Sequence, residues 1–280
     1  MATIASLHIY PVKSCRAVDL AAATLGTAGL ESDGVGDREW MVVDAGGSFV
    51  TQREAPRMAL VTPTIKDGML VLDAPGMAPL SIRLQGFALR AANLDVRVWN
   101  HACRAFDEGD AAAAWLSGFL GRTLRLARFD PAHKRASNRE WTGMVEALNR
   151  FSDGYPILVI SQASLADLNG RLKHAGRASL PMNRFRPNIV LGDVGPFDED
   201  RIVSFRAGEV LLKSVKPCPR CPIPSIDQAT GVHGPDPLDI LAQYRDDARL
   251  GVVFGQNVIV AAGIGSVLRV GQELDAEWNF

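Results

Sequence analysis

Residues 215–224 read Val-Lys-Pro-Cys-Pro-Arg-Cys-Pro-Ile-Pro, and this stretch carries more information about the chain than any other. Thiolates are soft metal ligands and good nucleophiles, so the pair Cys218 and Cys221 indicates metal or redox chemistry. Pro222 and Pro224 lack the backbone N–H group that a helix requires. The cysteines of dithiol redox proteins stand at the start of a helix, whose N–H groups lower the thiol pKa. This pair is instead predicted to lie in a rigid, extended, non-helical loop.

Four interpretations of the cysteine pair follow from the residues alone. A structural zinc site needs two further ligands, but Cys15 and Cys103 are isolated in the sequence and His233 has no companion histidine at ligand spacing. A dithiol redox pair conflicts with the prolines, which disfavour its helical setting. The third interpretation is a pair of buried loop cysteines without chemistry. The fourth, which the rigid loop favours, is that one of the two thiolates binds a metal.

The composition restricts the class of protein. The chain has 280 residues, enough for one large domain or two smaller ones, and 47% of them are hydrophobic. A net charge of −1 argues against bulk attraction to nucleic acid or to anionic membranes. No run approaches the roughly 20 apolar residues that span a bilayer, and no secretory signal is visible. With four cysteines, too few for a disulfide scaffold, we expect a cytoplasmic protein that binds neither nucleic acid nor membranes.

The hydrophobic periodicity predicts a β-rich chain with a few helices. Short apolar segments bounded by Gly, Pro and Asp indicate strands. They lie at 70–72, 80–84, 96–99, 156–161, 189–191, 209–215, 257–261 and 267–270. Asp110 is predicted to be the N-cap of a helix over 110–121, and a second helix is predicted over 162–173. The predicted buried face of the first helix comprises Ala112, Trp115, Leu116 and Phe119.

Basic residues outside the cysteine loop indicate an anion site. Residues 131–150 are polar and basic and are predicted to form a long mobile loop, either a solvated connector or a lid over an anionic ligand. Lys13 beside Ser14 offers an ammonium and a hydroxyl group, while Arg38 and Arg186 offer guanidinium forks that suit phosphate. Taken singly, each has a simpler interpretation as a surface lysine or as half of an ion pair.

Six motifs occur in a defined order along the chain. They are Tyr-Pro-Val-Lys-Ser-Cys at 10–15, Asp-Arg-Glu-Trp at 37–40, Ser-Asp-Gly-Tyr-Pro at 152–156, Phe-Arg-Pro-Asn at 185–188, Lys-Pro-Cys-Pro-Arg-Cys at 216–221 and Phe-Gly-Gln-Asn at 254–257. In this combination the sequence resembles the MOSC superfamily, and most closely the bacterial YcbX-type proteins and the mitochondrial amidoxime-reducing components. The resemblance extends over nearly the whole chain.

The resemblance implies a mainly β fold with helices (α+β), in which a MOSC-associated N-terminal β-barrel-like domain, 1–122, precedes a β-barrel MOSC domain, 123–280. It implies a molybdenum cofactor, with molybdenum bound to molybdopterin, at the interface of the two domains. Cys221 corresponds to the cysteine that ligates molybdenum in the family and takes the catalytic role, whereas the role of Cys218 stays open. The residues implied to contact the pterin or its phosphate are Lys13, Ser14, Arg38, Gly154, Tyr155, Arg186, Asn188 and Arg220.

The activity implied by the resemblance is that of a molybdenum-dependent oxidoreductase. It would reduce small N-hydroxylated or N-oxygenated compounds by oxygen-atom transfer at a molybdenum ligated by cysteine. The alternative is a cofactor-binding carrier or sulfur-transfer module without reductase activity. No cysteine follows Cys221, so no C-terminal ferredoxin domain is expected and electrons must come from another protein. A ferredoxin, a flavin reductase or a cytochrome b5-like protein would serve. Asp153 and His233 are candidate proton donors, but neither is assigned that role.

Overall fold

The computed structural model describes residues 1–86 and 92–279 and confirms the mainly β fold, with 41% strand. The strands in these residues are β1 (Ala2–Ile9), β2 (Val18–Leu20), β3 (Ala22–Gly26), β4 (Gly29–Ser32), β5 (Val35–Gly36), β6 (Trp40–Val43), β7 (Thr62–Lys66), β8 (Met69–Asp73), β9 (Leu80–Arg83), β10 (Asn93–Val98), β11 (His101–Asp107), β12 (Arg125–Phe129), β13 (Ile157–Ser161), β14 (Ile189–Gly192), β15 (Ile202–Ala207), β16 (Val210–Pro219), β17 (Asp246–Asp247), β18 (Gly251–Ala262), β19 (Val267–Arg269) and β20 (Glu273–Trp278). The helices are α1 (Asp110–Leu120), α2 (Arg139–Thr142), α3 (Gln162–His174) and α4 (Leu238–Leu241).

Seven strands close into a barrel. Starting from β13, the hydrogen-bonded order is β14, β1, β20, β15, β16 and β18, and β18 pairs back with β13. In β1 the side chains of Ile4, Leu7 and Ile9 are fully buried and those between them are only partly covered, as expected for a strand with one face on the core. A register shift between Ile4 and Ser6 marks an irregularity that adjusts this alternation. The N-terminal strand therefore completes a barrel whose other strands all follow residue 156.

Three smaller sheets surround the barrel, and two of them also combine distant parts of the chain. Their strand orders are β10-β11-β12-β6, β19-β3-β4-β5 and β7-β8-β9. β12 pairs with β6, and β19, close to the C-terminus, pairs with β3. Each of the regions 1–122 and 123–280 thus contributes strands to sheets that the other region mainly forms. The domain boundary between them stays a prediction.

A continuous apolar core joins these sheets. One cluster of buried residues includes Leu7 of β1, Trp40 of β6, Leu116 of α1 and Leu212 of β16. Full burial of a large apolar side chain contributes about 1.5–3 kcal/mol. The core therefore holds the barrel and the surrounding sheets together as one packed structure.

The long helices agree with the sequence prediction except at one cap. α1 buries the four predicted apolar residues, but its N-cap is Gly109, not Asp110. Gly109 has φ 89°, in the region that favours glycine, and the Asp110 carboxylate lies in the first turn, where it accepts a hydrogen bond of 2.9 Å from Arg125. None of the helices in the described ranges combines the length and the apolar character needed to cross a membrane.

The predicted long loop at 131–150 is more ordered in its contacts than the sequence indicated. It contains the short helix α2, and its residues Arg135 and Asn149 are buried. The backbone N–H of Ser137 donates to the carbonyl of Ala147 at 2.8 Å, which ties the two arms of the segment together. About half of the segment is exposed, as expected for a solvated connector, but buried polar side chains hold its two arms against their neighbours.

Candidate cofactor site

One cavity is lined by all nine residues that the sequence analysis assigned to a site. They are Lys13, Ser14, Arg38, Gly154, Tyr155, Arg186, Asn188, Arg220 and Cys221. These residues come from connections next to β1, β6, β13, β14 and β16, so segments far apart in the sequence meet here. Their contacts with a cofactor stay predictions.

Lys13 is buried at one side of the cavity and is already partly paired. Its ammonium donates to the carbonyl of Phe151 at 2.8 Å and to Asp153 Oδ1 at 2.7 Å. Burial lowers the pKa of Lys13, and the Asp153 carboxylate offsets part of this effect. Desolvation raises the pKa of Asp153, but the stronger combined effect of the Lys13 ammonium and the Trp99 N–H holds it well below its usual range. Asp153 therefore stays ionised at neutral pH, which does not suit a proton donor.

Two guanidinium groups that line the cavity stack on the Tyr10 ring. The Cζ atoms of Arg38 and Arg186 each lie 4.2 Å from the ring centroid. Arg38 Nη1 donates to Asp37 Oδ2 at 2.5 Å, and Arg186 Nη1 donates to the carbonyl of Cys15 at 2.8 Å.

The buried guanidinium of Arg186 is not fully satisfied. Its Nη2 atom is buried and has no hydrogen-bond partner among the described residues. Burial lowers the pKa of Arg186 to about 10, so the group stays charged at neutral pH. An unpartnered donor on a buried cation is costly unless a ligand accepts from it, and the cavity therefore suits an anion.

The backbone adopts a left-handed conformation at three of the lining residues. The φ values are 67° for Ser14, 48° for Arg38 and 60° for Arg186. Such values are uncommon for residues other than glycine and concentrate at functional sites. This geometry is therefore a second, independent sign that the cavity is a site.

The cysteine loop forms the opposite side of the cavity and is extended, as the prolines predicted. Cys218 lies near the end of β16 and Cys221 just beyond it; both thiols are free and partly exposed. Arg220 Nη1 donates to Cys218 Sγ at 3.3 Å, and Nη2 donates to the carbonyl of Phe185 at 2.9 Å. Burial raises the pKa of Cys218, with Arg220 acting in the opposite direction. Within residues 1–86 and 92–279, no group of three or more His, Cys, Asp or Glu side chains could hold a metal ion.

Asn188 holds the framework of the site. Its Nδ2 donates to Asp37 Oδ1 at 2.9 Å and to the carbonyl of His8 at 3.2 Å, while its Oδ1 accepts from the backbone of Leu158 and from Arg38. These four bonds use the donors and acceptors that the amide offers. The structure thus gives Asn188 a role in positioning Arg38 in addition to the predicted cofactor contact.

Sequence reasoning missed several lining residues. Thr51, Arg53 and Asn257 also line the cavity, and Arg53 stacks on Trp99 with its Cζ 4.7 Å from the ring. Asn257 ends the quoted motif 254–257, but nothing in that motif assigned it a role. Thr51 and Arg53 belong to none of the six motifs, so nothing in the sequence marked them as site residues. His233, a candidate proton donor, is not among the residues that line the cavity.

Comparison with known proteins identifies the family. The MOSC N-terminal beta barrel domain matches residues 1–123, and the MOSC domain matches residues 147–275. The chain is 36% identical over 247 residues to "Mitochondrial amidoxime reducing component 2" of Bos taurus, covering 87% of this chain and 72% of the relative. The chain belongs to the amidoxime-reducing component family.

A second relative agrees with this assignment. "Mitochondrial amidoxime-reducing component 1" of Homo sapiens is 34% identical to this chain over 247 residues, and the match covers 87% of this chain and 72% of the relative. A solution structure of a protein from Bordetella bronchiseptica covers 38% of this chain and 85% of its own, with 27% identity and a TM-score of 0.32. That structural similarity is too low to support an argument.

The family assignment carries coarse functional information. The names of the relatives support molybdenum-cofactor-dependent N-reduction at the level of the family and suggest an oxidoreductase. The MOSC domain is a molybdenum-cofactor sulfurase C-terminal domain, which suggests association with that cofactor.

The expectation of a cytoplasmic location for this amidoxime-reducing component family member was wrong. The relatives are named as mitochondrial proteins and point to mitochondria instead. Composition and cysteine count constrain the redox environment that a protein tolerates, but they do not determine its subcellular compartment.

Proposed function

We propose that the chain is a molybdenum-cofactor-dependent reductase of small N-hydroxylated compounds. The observation that supports this most strongly is a single cavity that combines the free thiol of Cys221 with cationic side chains from both ends of the sequence. A thiol supplies a soft metal ligand, and the cations supply partners for a phosphate. Both are needed to hold a molybdenum cofactor.

The charges of the cavity fit an anionic group. Among the residues that the structure describes, the lining has five basic side chains, those of Lys13, Arg38, Arg53, Arg186 and Arg220, and one acidic side chain, that of Asp153, which is paired with Lys13. Arg186 Nη2 and Arg220 Nε are buried without hydrogen-bond partners in the described part of the chain. Hydrogen bonds to charged groups contribute about 1.5–3 kcal/mol each. A bound phosphate would therefore be strongly favoured.

The residues take distinct roles in this proposal. Cys221 would ligate molybdenum, and Lys13, Ser14, Arg38, Arg186 and Arg220 would hold the pterin and its phosphate, with backbone contacts from Gly154 and Tyr155. Asn188 would act by positioning Arg38, because its amide is already fully hydrogen-bonded. When bound, the cofactor would supply two-electron reduction by oxygen-atom transfer. The side chains of the cavity would bind and orient the cofactor and neutralise the charge of its phosphate. The rigid cysteine loop would hold the Cys221 thiol at a fixed position.

The overall reaction balances with an external reductant. Two electrons and two protons break the N–O bond of the substrate, which leaves an N–H group and one molecule of water. The electrons would come from a donor protein such as a ferredoxin, a flavin reductase or a cytochrome b5-like protein. The alternative function, a cofactor carrier or sulfur-transfer module, uses the same site without this reaction; the relation of the MOSC domain to molybdenum-cofactor sulfurase supports keeping it as the second candidate.

The experiment that tests the proposal measures molybdenum, pterin and activity together. Wild type, Cys221→Ala and Cys218→Ala are purified from cells that make the cofactor, and each is assayed for benzamidoxime reduction with a chemical reductant. We expect stoichiometric molybdenum and activity in wild type, loss of activity with retained fold in Cys221→Ala, and most of the molybdenum and activity retained in Cys218→Ala. Molybdenum and pterin without activity in wild type would favour the carrier function. Full activity of Cys221→Ala would refute the ligand assignment.

A further inference from the structure

A second cavity adjoins the candidate cofactor site and has a volume of about 530 Å³. The residues that line both cavities are Asp153, Gly154, Tyr155, Cys218, Pro219 and Asn257. The second cavity adds Lys216, His101 and the segment 135–138 to this shared wall. Small-molecule sites usually have volumes of about 300–1,000 Å³. The second cavity is thus large enough for a small ligand, which would lie directly beside the cysteine loop.

The second cavity carries positive charge that the protein does not neutralise. Arg135 is buried, and its Nη atoms donate to the carbonyls of Arg150 and Ser152, both at 2.7 Å, and of Asp153 at 3.3 Å. Its Nε atom is buried and finds no acceptor within residues 1–86 and 92–279. Backbone carbonyls accept the hydrogen bonds of a guanidinium group but carry no net charge, so they do not neutralise the positive charge of Arg135.

Lys216 supplies the more accessible cation. It is half-buried on β16, with its Nζ atom 5.1 Å from the centre of the Trp141 ring. No ion pair to Lys216 is formed by the residues that the structure describes. Asp153, which contributes the one carboxylate found in the described part of this wall, is already paired with Lys13. A ligand that places an anionic group near Lys216 would therefore gain a charge-assisted hydrogen bond that the free protein lacks.

We infer that the second cavity binds the substrate and that Lys216, supported by the field of Arg135, selects N-hydroxylated compounds that carry a carboxylate. The inference rests on the proposed function, because it assigns the shared wall to the boundary between cofactor and substrate. A phosphate of an extended cofactor has similar chemistry and could reach the same cations. The test below separates the two sources.

Binding of two matched compounds tests the inference without depending on turnover. Benzamidoxime and para-carboxybenzamidoxime share the N–OH group and differ only in the carboxylate, and their Kd values for the cofactor-loaded protein are measured by calorimetry. We expect Lys216→Ala to raise the Kd of the carboxylate compound about tenfold, equivalent to a loss of about 1.4 kcal/mol. The Kd of benzamidoxime should change by less than about twofold, and Lys216→Arg should restore most of the preference.

Lys213→Ala is the matched control. Lys213 lies on the same strand, is exposed, and lines neither the first nor the second cavity. Its replacement should leave the Kd values of both compounds unchanged. The molybdenum and pterin content of all variants is measured in the same preparations.

Three outcomes decide the inference. A tenfold loss confined to the carboxylate compound supports it. Equal changes for both compounds, or no change, would overturn it. Loss of molybdenum and pterin in Lys216→Ala would also overturn it, since the cavity would then belong to the cofactor. If the carboxylate preference is present but neither compound is reduced, the proposed function fails while the anion subsite stands.

Discussion

Ser14, Arg38 and Arg186 each combine a left-handed backbone with a place in the wall of the candidate site. A residue other than glycine in such a conformation costs about 1–3 kcal/mol and persists only where the surroundings enforce it. At Arg38 a hydrogen bond supports this conformation, since its backbone N–H donates to the carbonyl of Tyr10 at 2.7 Å. The strain shapes the peptide groups around the cavity, and glycine at these positions would remove the side chains that the site needs.

Ser14→Gly should be more stable than Ser14→Ala by about 1 kcal/mol. Both variants lose the hydroxyl group, but only glycine adopts a φ of 67° without steric cost. The free energy of unfolding in urea measures the difference. Ser117, in the interior of α1, provides the control pair, since glycine there should be less stable than alanine by about 0.5–1 kcal/mol. Equal stability of the two Ser14 variants would mean that the backbone at this position is not strained.

The thiols of this chain should separate into two classes of reactivity. Cys15 is fully buried and burial raises its pKa to about 12, while Cys103 is 2% exposed and its pKa is also raised by burial. The thiolate is the reactive form, and at pH 8 a group that titrates near 12 remains almost entirely protonated. Iodoacetamide should therefore label Cys218 and Cys221, which are partly exposed in the folded protein, and spare the other two. Cys218 should react more slowly than Cys221, because burial also raises the pKa of Cys218.

Peptide mass spectrometry of the alkylated protein checks this pattern. Labelling in concentrated urea is the control, because all four cysteines should react once burial is lost. Alkylation of Cys15 in the folded state at the rate of Cys221 would contradict the predicted burial.

At the scale of elements, Arg135 explains why the segment 131–150 is packed. Its guanidinium donates to the Asn149 side chain and to three backbone carbonyls of the loop that leads to the site, those of Arg150, Ser152 and Asp153. That loop carries Asp153 and Gly154, which line both cavities. A single buried side chain thus fixes the position of one wall of the site.

Arg135→Gln should lower the free energy of unfolding by about 1–3 kcal/mol, because carbonyl groups that now accept from the guanidinium would lose their donor. Amide hydrogen exchange over residues 149–154 should become faster, which separates a local release of the loop from a general loss of stability. Urea unfolding and exchange mass spectrometry measure the two effects.

Arg139→Gln is the control for this prediction. Arg139 is exposed at the start of α2, so its replacement should change the stability by less than about 0.5 kcal/mol. Unchanged exchange at 149–154 in Arg135→Gln would show that the loop holds its conformation without the guanidinium.

At the scale of the whole molecule, the barrel cannot close without the N-terminus. β1 fills the position between β14 and β20, and β19 and β12 complete sheets that are otherwise made by the N-terminal part of the chain. The same apolar cluster includes residues of β1, β6, α1 and β16. The two regions matched by the family models therefore share both their hydrogen bonds and their core.

We expect the protein to unfold in one cooperative calorimetric transition. Fragments 1–123 and 124–280 should each fail to fold alone, because each lacks strands that the other supplies, and should recover native circular dichroism when refolded together. The intact chain refolded under the same conditions is the control. Two separate calorimetric transitions, or a folded fragment 124–280, would show that the shared strands are dispensable.

The sequence by itself indicated the fold class and the residue types of the candidate site. The prolines of 215–224 predicted an extended backbone at the cysteines, the apolar pattern predicted a mainly β chain, and the six ordered motifs contain most of the residues that line the first cavity. These features depend on residue type and local spacing, which a sequence states directly.

Only the tertiary structure decided which strands share a sheet and where the second cavity lies beside Lys216. It also decided the left-handed backbone at Ser14, Arg38 and Arg186. The hydrogen bonds from Arg135 to the loop at the site were likewise visible only in the structure. The physical reason is that each of these results from contacts between segments distant in the chain. A strand pattern does not specify its partner, a serine or arginine adopts positive φ only when its neighbours impose it, and a cavity is the space left when many segments have packed.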